Sequence, residues 1–153
     1  MSLLAVSHHQ QRQQADCLAA CAAMLLAHFH LSVDYARLVR LLGIRSYGAA
    51  FSNLRRLEEL GVSVIIERGS ITKLHQALAQ GLPIIVAVNT GPLTYWSDDT
   101  AHALVVVGIE QQTVLVNDPE FEQAPQSVPL DEFLMAWLEQ DYRHALIQRS
   151  NHR

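Results

Sequence analysis

Apolar and polar positions alternate in two different textures along the chain, one helical and one extended. Residues 16–30 contain neither Gly nor Pro and are packed with Ala, Leu and Met, all strong helix formers. At about 100° per residue, the side chains of Leu18, Ala19, Ala20, Ala22, Ala23, Met24, Leu25 and Leu26 surround the axis. A helix apolar on every side must be buried on every side, so this segment is expected at the centre of the fold. Asp16 is the expected N-cap, its carboxylate accepting from the first free N–H groups.

Amphipathic helices are predicted over 34–42, 51–60 and 72–80. Gly43, Gly61 and Gly81 follow them, where a helix-terminating glycine belongs. The texture then becomes β-branched, and strands are predicted over 62–67, 83–89, 103–109 and 113–117. A helix over 130–139 and a last strand over 145–148, closing the sheet, complete the pattern. Helices first and strands afterwards indicate an α+β fold, with a helical part packed on a mostly antiparallel sheet.

A length of 153 residues, half of them apolar and 17% charged, fits one globular domain over 1–153. The net charge of −4 gives no basic footprint for nucleic acid. No run reaches the ~18 apolar residues of a membrane span, and the N-terminus lacks the basic region of a signal peptide. The expected location is the cytoplasm, where the two cysteines remain thiols.

Those thiols are the first candidate chemistry. Cys17 falls at the first helical position, where free N–H groups and the helix dipole favour a thiolate. On its own, a cysteine near a helix start is more often a small core residue. Cys21 lies one turn deeper on the same stripe and is expected to pack. A metal site from Cys17, Cys21, His28 and His30 is rejected, because His28 stands about 10 Å along the axis from Cys21.

His102 opens the strand HALVVVGI, and VLVNDP follows after a turn near 110–112. An antiparallel hairpin with that turn places His102 opposite positions about 118 to 122. Asp118 therefore falls beside His102 or one step away, where a carboxylate can fix the tautomer of a catalytic imidazole. Asn117 is the alternative orienting group. An oxyanion would need a second donor beside the Cys17 N–H, and Gln10, Gln11, Gln13 and Gln14 all offer an amide. The loop 90–101, carrying Tyr95 and Trp96, is expected to wall the cleft. His8, His9, His28, His30, His75, His144 and His152 are assigned no role.

Three motifs in this order resemble the C39 peptidases, the bacteriocin-processing or double-glycine peptidases. They are Gln11 six residues before Cys17, with Asp16 preceding the cysteine and an Ala/Leu/Met-rich helix following it, His102 opening a Val-rich strand, and Asn117-Asp118-Pro119 ending the next strand. Leu60-Gly61, Leu82-Pro83 and the Phe133/Trp137 helix also fit, so the resemblance covers residues 8–149. It implies a papain-like fold and a cysteine peptidase with Cys17 as nucleophile, His102 as base, Asp118 as orienting carboxylate and Gln11 as oxyanion amide. No metal or organic cofactor is implied. The implied partners are a peptide or protein substrate and an ABC exporter on a separate chain. Leu18 stands where the family has Gly, which bears on the residues accepted beside the scissile bond. A deamidase or acyltransferase acting through the same thioester, and a peptide-binding module without catalysis, are the competing expectations.

Overall fold

The computed structural model describes residues 3–13 and 15–150, which leaves two of the residues weighed above, Gln14 and His152, outside the described residues. Helix α1 (Cys17–His28) is followed by α2 (Tyr35–Leu41) and by a 3-10 helix over Phe51–Leu60. Then come β1 (Val62–Arg68), α3 (Ile71–Ala79), β2 (Ile84–Asn89), β3 (Ala101–Glu110) and β4 (Thr113–Asn117). The chain finishes with β5 (Gln126–Pro129), α4 (Leu130–Leu138) and β6 (Arg143–Arg149).

Six strands form one sheet in the order β1-β6-β2-β3-β4-β5, and every neighbouring pair is antiparallel. The expected closing strand is thus an interior one: β6 lies between β1 and β2. The sheet's far edge is β5, which the sequence did not reveal. It has four residues, ends in Pro129 and buries only Val128, so it lacks a long β-branched run.

Helices cover both faces of the sheet rather than one. On the first face, α1, α2 and the 3-10 helix pack on Val64, Ile85, Val105 and Ile147. On the second, α3 and α4 deliver Leu74, Leu78, Phe133 and Trp137 onto Val86, Leu104 and Val116. This explains why β2 and β3 read as nearly continuous apolar runs: side chains pointing either way enter a core. Helix α1 is buried along most of its length, as its all-round apolar pattern requires. Each of Met24, Leu25 and Leu26, buried to 1% exposure or less, contributes on the order of 2 kcal/mol by leaving water.

Two local expectations need correction. Residues 51–60 wind as a 3-10 helix, not an amphipathic α-helix. Phe51, Leu54 and Leu57 recur every three residues, and three residues per turn stacks them in one buried line. Asp16 occupies the N-cap position of α1 but makes no side-chain capping bond. Its carboxylate instead accepts from Tyr35 Oη (3.2 Å) and from the Gln13 N–H (3.3 Å). The loop before α1 is tied down by this contact, and the side chain does not occupy the helix's leading N–H groups.

The β3–β4 register pairs Val105 with Asn117 and Val106 with Val116, with a bulge before Gly108. Continued backwards, it brings His102 level with Glu120, inside the range expected from the turn. Asp118 lies one residue beyond the end of β4, free of the ladder and able to turn its carboxylate toward β3.

Candidate active site

A cleft of about 450 Å3 opens at the N-terminus of α1, where Cys17 faces the first residues of β3. Cys17 and Leu18 border it from the helix, His102 and Ala103 from the sheet, and Trp96 and Glu120 from two loops. Leu18, at the position of the family glycine, is buried to 3% exposure yet still edges this cleft.

His102 donates from Nε2 to Asp118 Oδ1 at 2.7 Å, with both side chains buried. With Nε2 committed to the carboxylate, Nδ1 is the ring atom left for the thiol, and Cys17 borders the same cleft as the imidazole. Burial alone would push the His102 ring down. The hydrogen bond to Asp118, then the interaction with Cys17 and the charges of both, outweigh burial and raise it to about 9. Burial would likewise push the Asp118 carboxyl up, but the bond and charge of His102, then Tyr95 and Trp96, hold it below its ordinary value.

Asp118 is fully buried and accepts three further bonds. Tyr95 Oη reaches Oδ2 at 2.7 Å, Trp96 Nε1 reaches Oδ2 at 2.8 Å, and the Glu120 N–H reaches Oδ1 at 3.0 Å. Trp96 also stands edge-on to His102, with ring centroids 4.8 Å apart, and Phe121 packs on both Tyr95 and Trp96. The loop 90–101 therefore does more than wall the cleft: it roofs the His102–Asp118 pair and holds the carboxylate's second oxygen. The sequence showed where these aromatics sit but not where their polar atoms point.

Tyr95→Phe tests that contact. One charge-assisted bond to a buried carboxylate is lost with little change of shape, so a destabilisation of about 1.5–3 kcal/mol is expected in urea unfolding. An unchanged midpoint would show that the bond contributes nothing.

The remaining candidates separate clearly. Asn117 does not orient His102; its side chain donates to Val6 O at 3.1 Å. Cys21 is buried, and burial, with the charges of Cys17 and Asp118, pushes its thiol well above the ordinary value. His28 is engaged at Gly81 O, 2.9 Å away. Gln11 donates from Nε2 to Gln13 O and to Glu120 Oε1, both at 3.0 Å, and is not itself among the residues bordering the cleft. Glu120 was missed by sequence reasoning, although Asp-Pro-Glu carried a signal. An Asp whose side chain accepts from the N–H two residues on is a common turn device, and it fixes where Glu120 points.

A helical part and an antiparallel sheet, with a cysteine at a helix start facing a histidine on a strand, constitute the papain-like fold. Residues 5–141 match the profile of the peptidase C39 family, and the chain belongs to that family. It is 26% identical over 110 residues to the colicin V secretion/processing ATP-binding protein CvaB of Escherichia coli. A probable microcin-H47 secretion/processing ATP-binding protein, MchF, of the same organism is 26% identical over 109 residues. The matched region spans 71% of this chain but only 14% of each of those proteins.

Among solved structures, a C39-like protein from Bacillus anthracis superposes with a TM-score of 0.80 at 19% identity, covering 99% of this chain and 100% of that one. A double glycine motif protease from an AMS/PCAT transporter, in complex with the leader peptide, gives a TM-score of 0.77 at 20% identity. That match covers 97% of this chain and 95% of the protease. No described helix is long and apolar enough to cross a membrane.

Proposed function

We propose that this chain is a cysteine peptidase that hydrolyses a peptide bond through Cys17, His102 and Asp118. The observation that carries the reading is the buried, carboxylate-bound imidazole sharing a cleft with a thiol at a helix N-terminus. His102 takes the thiol proton, and the thiolate attacks the substrate carbonyl. The oxyanion is held by the Cys17 N–H and by Gln11, whose amide exchanges its bond with Glu120 for one to substrate. His102 then protonates the leaving amine, and water, deprotonated by the same ring, releases the acyl group from sulfur. Asp118 stays ionised throughout and stabilises the imidazolium.

The substrate in this reading is a leader peptide cut after Gly-Gly in the cytoplasm, with an ABC exporter as the partner. The likeness to a double glycine motif protease and to secretion/processing proteins supports it. Small side chains on the cleft floor, Ala87 and Ala103, favour a closely seated backbone. Peptides spanning a Gly-Gly junction test the reading by mass spectrometry. Cleavage after the second Gly by the wild type and none by Cys17→Ser is expected; no cleavage by either would contradict it.

The raised His102 value sets a pH limit. A ring that keeps its proton up to about 9 supplies the leaving amine at neutral pH and loses that capacity as pH rises through about 9. The alkaline limb of kcat/KM is therefore expected near pH 9. A limb near the ordinary histidine value of about 6.5 would contradict this arrangement.

A further inference from the structure

The cleft continues beyond His102 to a cation that, among the described residues, no carboxylate neutralises. Arg143, at the start of β6, borders the cleft together with Gln140. Its guanidinium lies over the Phe51 ring, 5.8 Å from the centroid, and one N–H reaches Gln140 Oε1 at 3.4 Å. Gln140 is itself anchored through Nε2 on Asn89 Oδ1. Among the described residues Arg143 forms no ion pair, whereas Arg68, its cross-strand partner on β1, is taken up by Asp141. Glu120, the only acidic residue bordering the cleft among the described residues, is level with His102 and engaged by Gln11. A half-buried guanidinium in no ion pair, with N–H groups beyond the one on Gln140, facing a cleft and held by an aromatic ring and an amide, is suited to bidentate capture of a carboxylate.

Sheet register fixes how far the backbone of Arg143 lies from the strand that carries His102. Ala103 on β3 pairs with Ala87 on β2. The β2–β6 pairing of Val86 with His144, continued by one residue, sets Ala87 across from Arg143. Arg143 is thus two strand spacings, about 10 Å, from the strand that carries His102. An extended peptide advances about 3.3 Å per residue, so that span is two or three residues. Ala87 and Ala103, between the two points, leave the floor low enough for a backbone to cross.

We propose that Arg143, positioned by Phe51 and Gln140, is a subsite for a carboxylate of the peptide in the cleft, two or three residues from the scissile bond. The proposal rests on the cysteine peptidase reading for what occupies the cleft, and it selects acidic peptides among possible substrates. The carboxylate comes either from an Asp or Glu side chain or from a free C-terminus.

Binding to the Cys17→Ala protein tests it without turnover. The probes are fluorescent Gly-based hexapeptide amides carrying one Asp, or its isostere Asn, at each position in turn, and the all-Gly peptide with a free or amidated C-terminus. At least one carboxylate peptide is expected to bind roughly tenfold more tightly than its neutral counterpart, as a charge-assisted pair allows. That preference is expected to vanish when Arg143→Met is added, which keeps the apolar stem over Phe51, and to be partly retained with Arg143→Lys, which keeps charge without the fork. A preference confined to side-chain Asp identifies an internal acidic residue; one confined to the free terminus identifies the C-terminal carboxylate. Equal binding of charged and neutral peptides, no binding of any, or a preference that persists in folded Arg143→Met and Arg143→Gln proteins would overturn the proposal. His102-dependent alkylation of Cys17, measured on the same preparation with the thiol intact, reports separately on the catalytic reading.

Discussion

His102→Ala is expected to lower kcat roughly a thousandfold with little change in KM, within the range that general acid–base catalysis supplies. The ring is bonded to the Asp118 carboxylate and borders the cleft with Cys17, so in the proposed mechanism its removal takes away the base for attack and the acid for amine departure. It touches the reacting atoms rather than the distal peptide, which is why the loss falls on kcat. The variant loses one partner of a buried charged pair and is expected to be less stable. It should still fold, since Asp118 keeps the bonds from Tyr95, Trp96 and the Glu120 N–H and the ladder between β2 and β3 is made by backbone. Peptide-cleavage kinetics, with circular dichroism as the control for folding, measure both. A loss of tenfold or less, or a loss confined to KM, would show that His102 is not the proton carrier.

Asp118→Ala is expected to be the most destabilising change at the site. The carboxylate is fully buried and accepts from His102, Tyr95, Trp96 and the Glu120 N–H. Removing it leaves these donors without their acceptor in a place that water does not reach, and breaking a buried charged pair in this way costs about 3–5 kcal/mol. For a chain of this size that is a fall in Tm of about 10 °C. Because the Asp118 value is lowered in the folded state, its contribution is complete above the unfolded carboxyl value of about 3.9 and fades as pH falls through the folded one. The difference between wild type and variant should therefore be full at pH 7 and shrink in acid. Asp118→Asn keeps the volume and one acceptor oxygen, so it should unfold nearer to the wild type. It should still lose most activity, because an amide carries no charge to balance the imidazolium. If the Ala variant melts with the wild type at pH 7, the hydrogen-bonding scheme around Asp118 is wrong.

What could be read from the sequence was whatever obeyed a period or a register. The all-round apolar segment before His28 gave the central helix, and the β-branched runs gave the interior strands, because burial on both faces leaves little else to vary. The hairpin turn alone brings His102 and Asp118 together, since antiparallel pairing ties residue numbers to one another. Polar groups escaped where their partner is distant in sequence and follows no period. The turn of Asp16 away from its cap toward Tyr35, the aim of Tyr95 and Trp96 at Asp118, and the bond between Gln11 and Glu120 all depend on loop conformations. Arg143 and Gln140 belong to the same group: they enter the cleft only because β6 inserts beside β2 rather than at the sheet's edge. The 3-10 winding of Phe51–Leu60 did have a sequence signal, in the three-residue spacing of Phe51, Leu54 and Leu57.

The central claim is that His102 activates Cys17. Its most direct test follows iodoacetamide modification of Cys17 and Cys21 separately by mass spectrometry, from pH 5 to 9, in the wild type and in folded His102→Ala. The account predicts rapid modification of Cys17 at pH 6 in the wild type, loss of that reactivity in the variant, and no reaction at buried Cys21 in either. Equal rates for Cys17 in the two proteins across the pH range would contradict it.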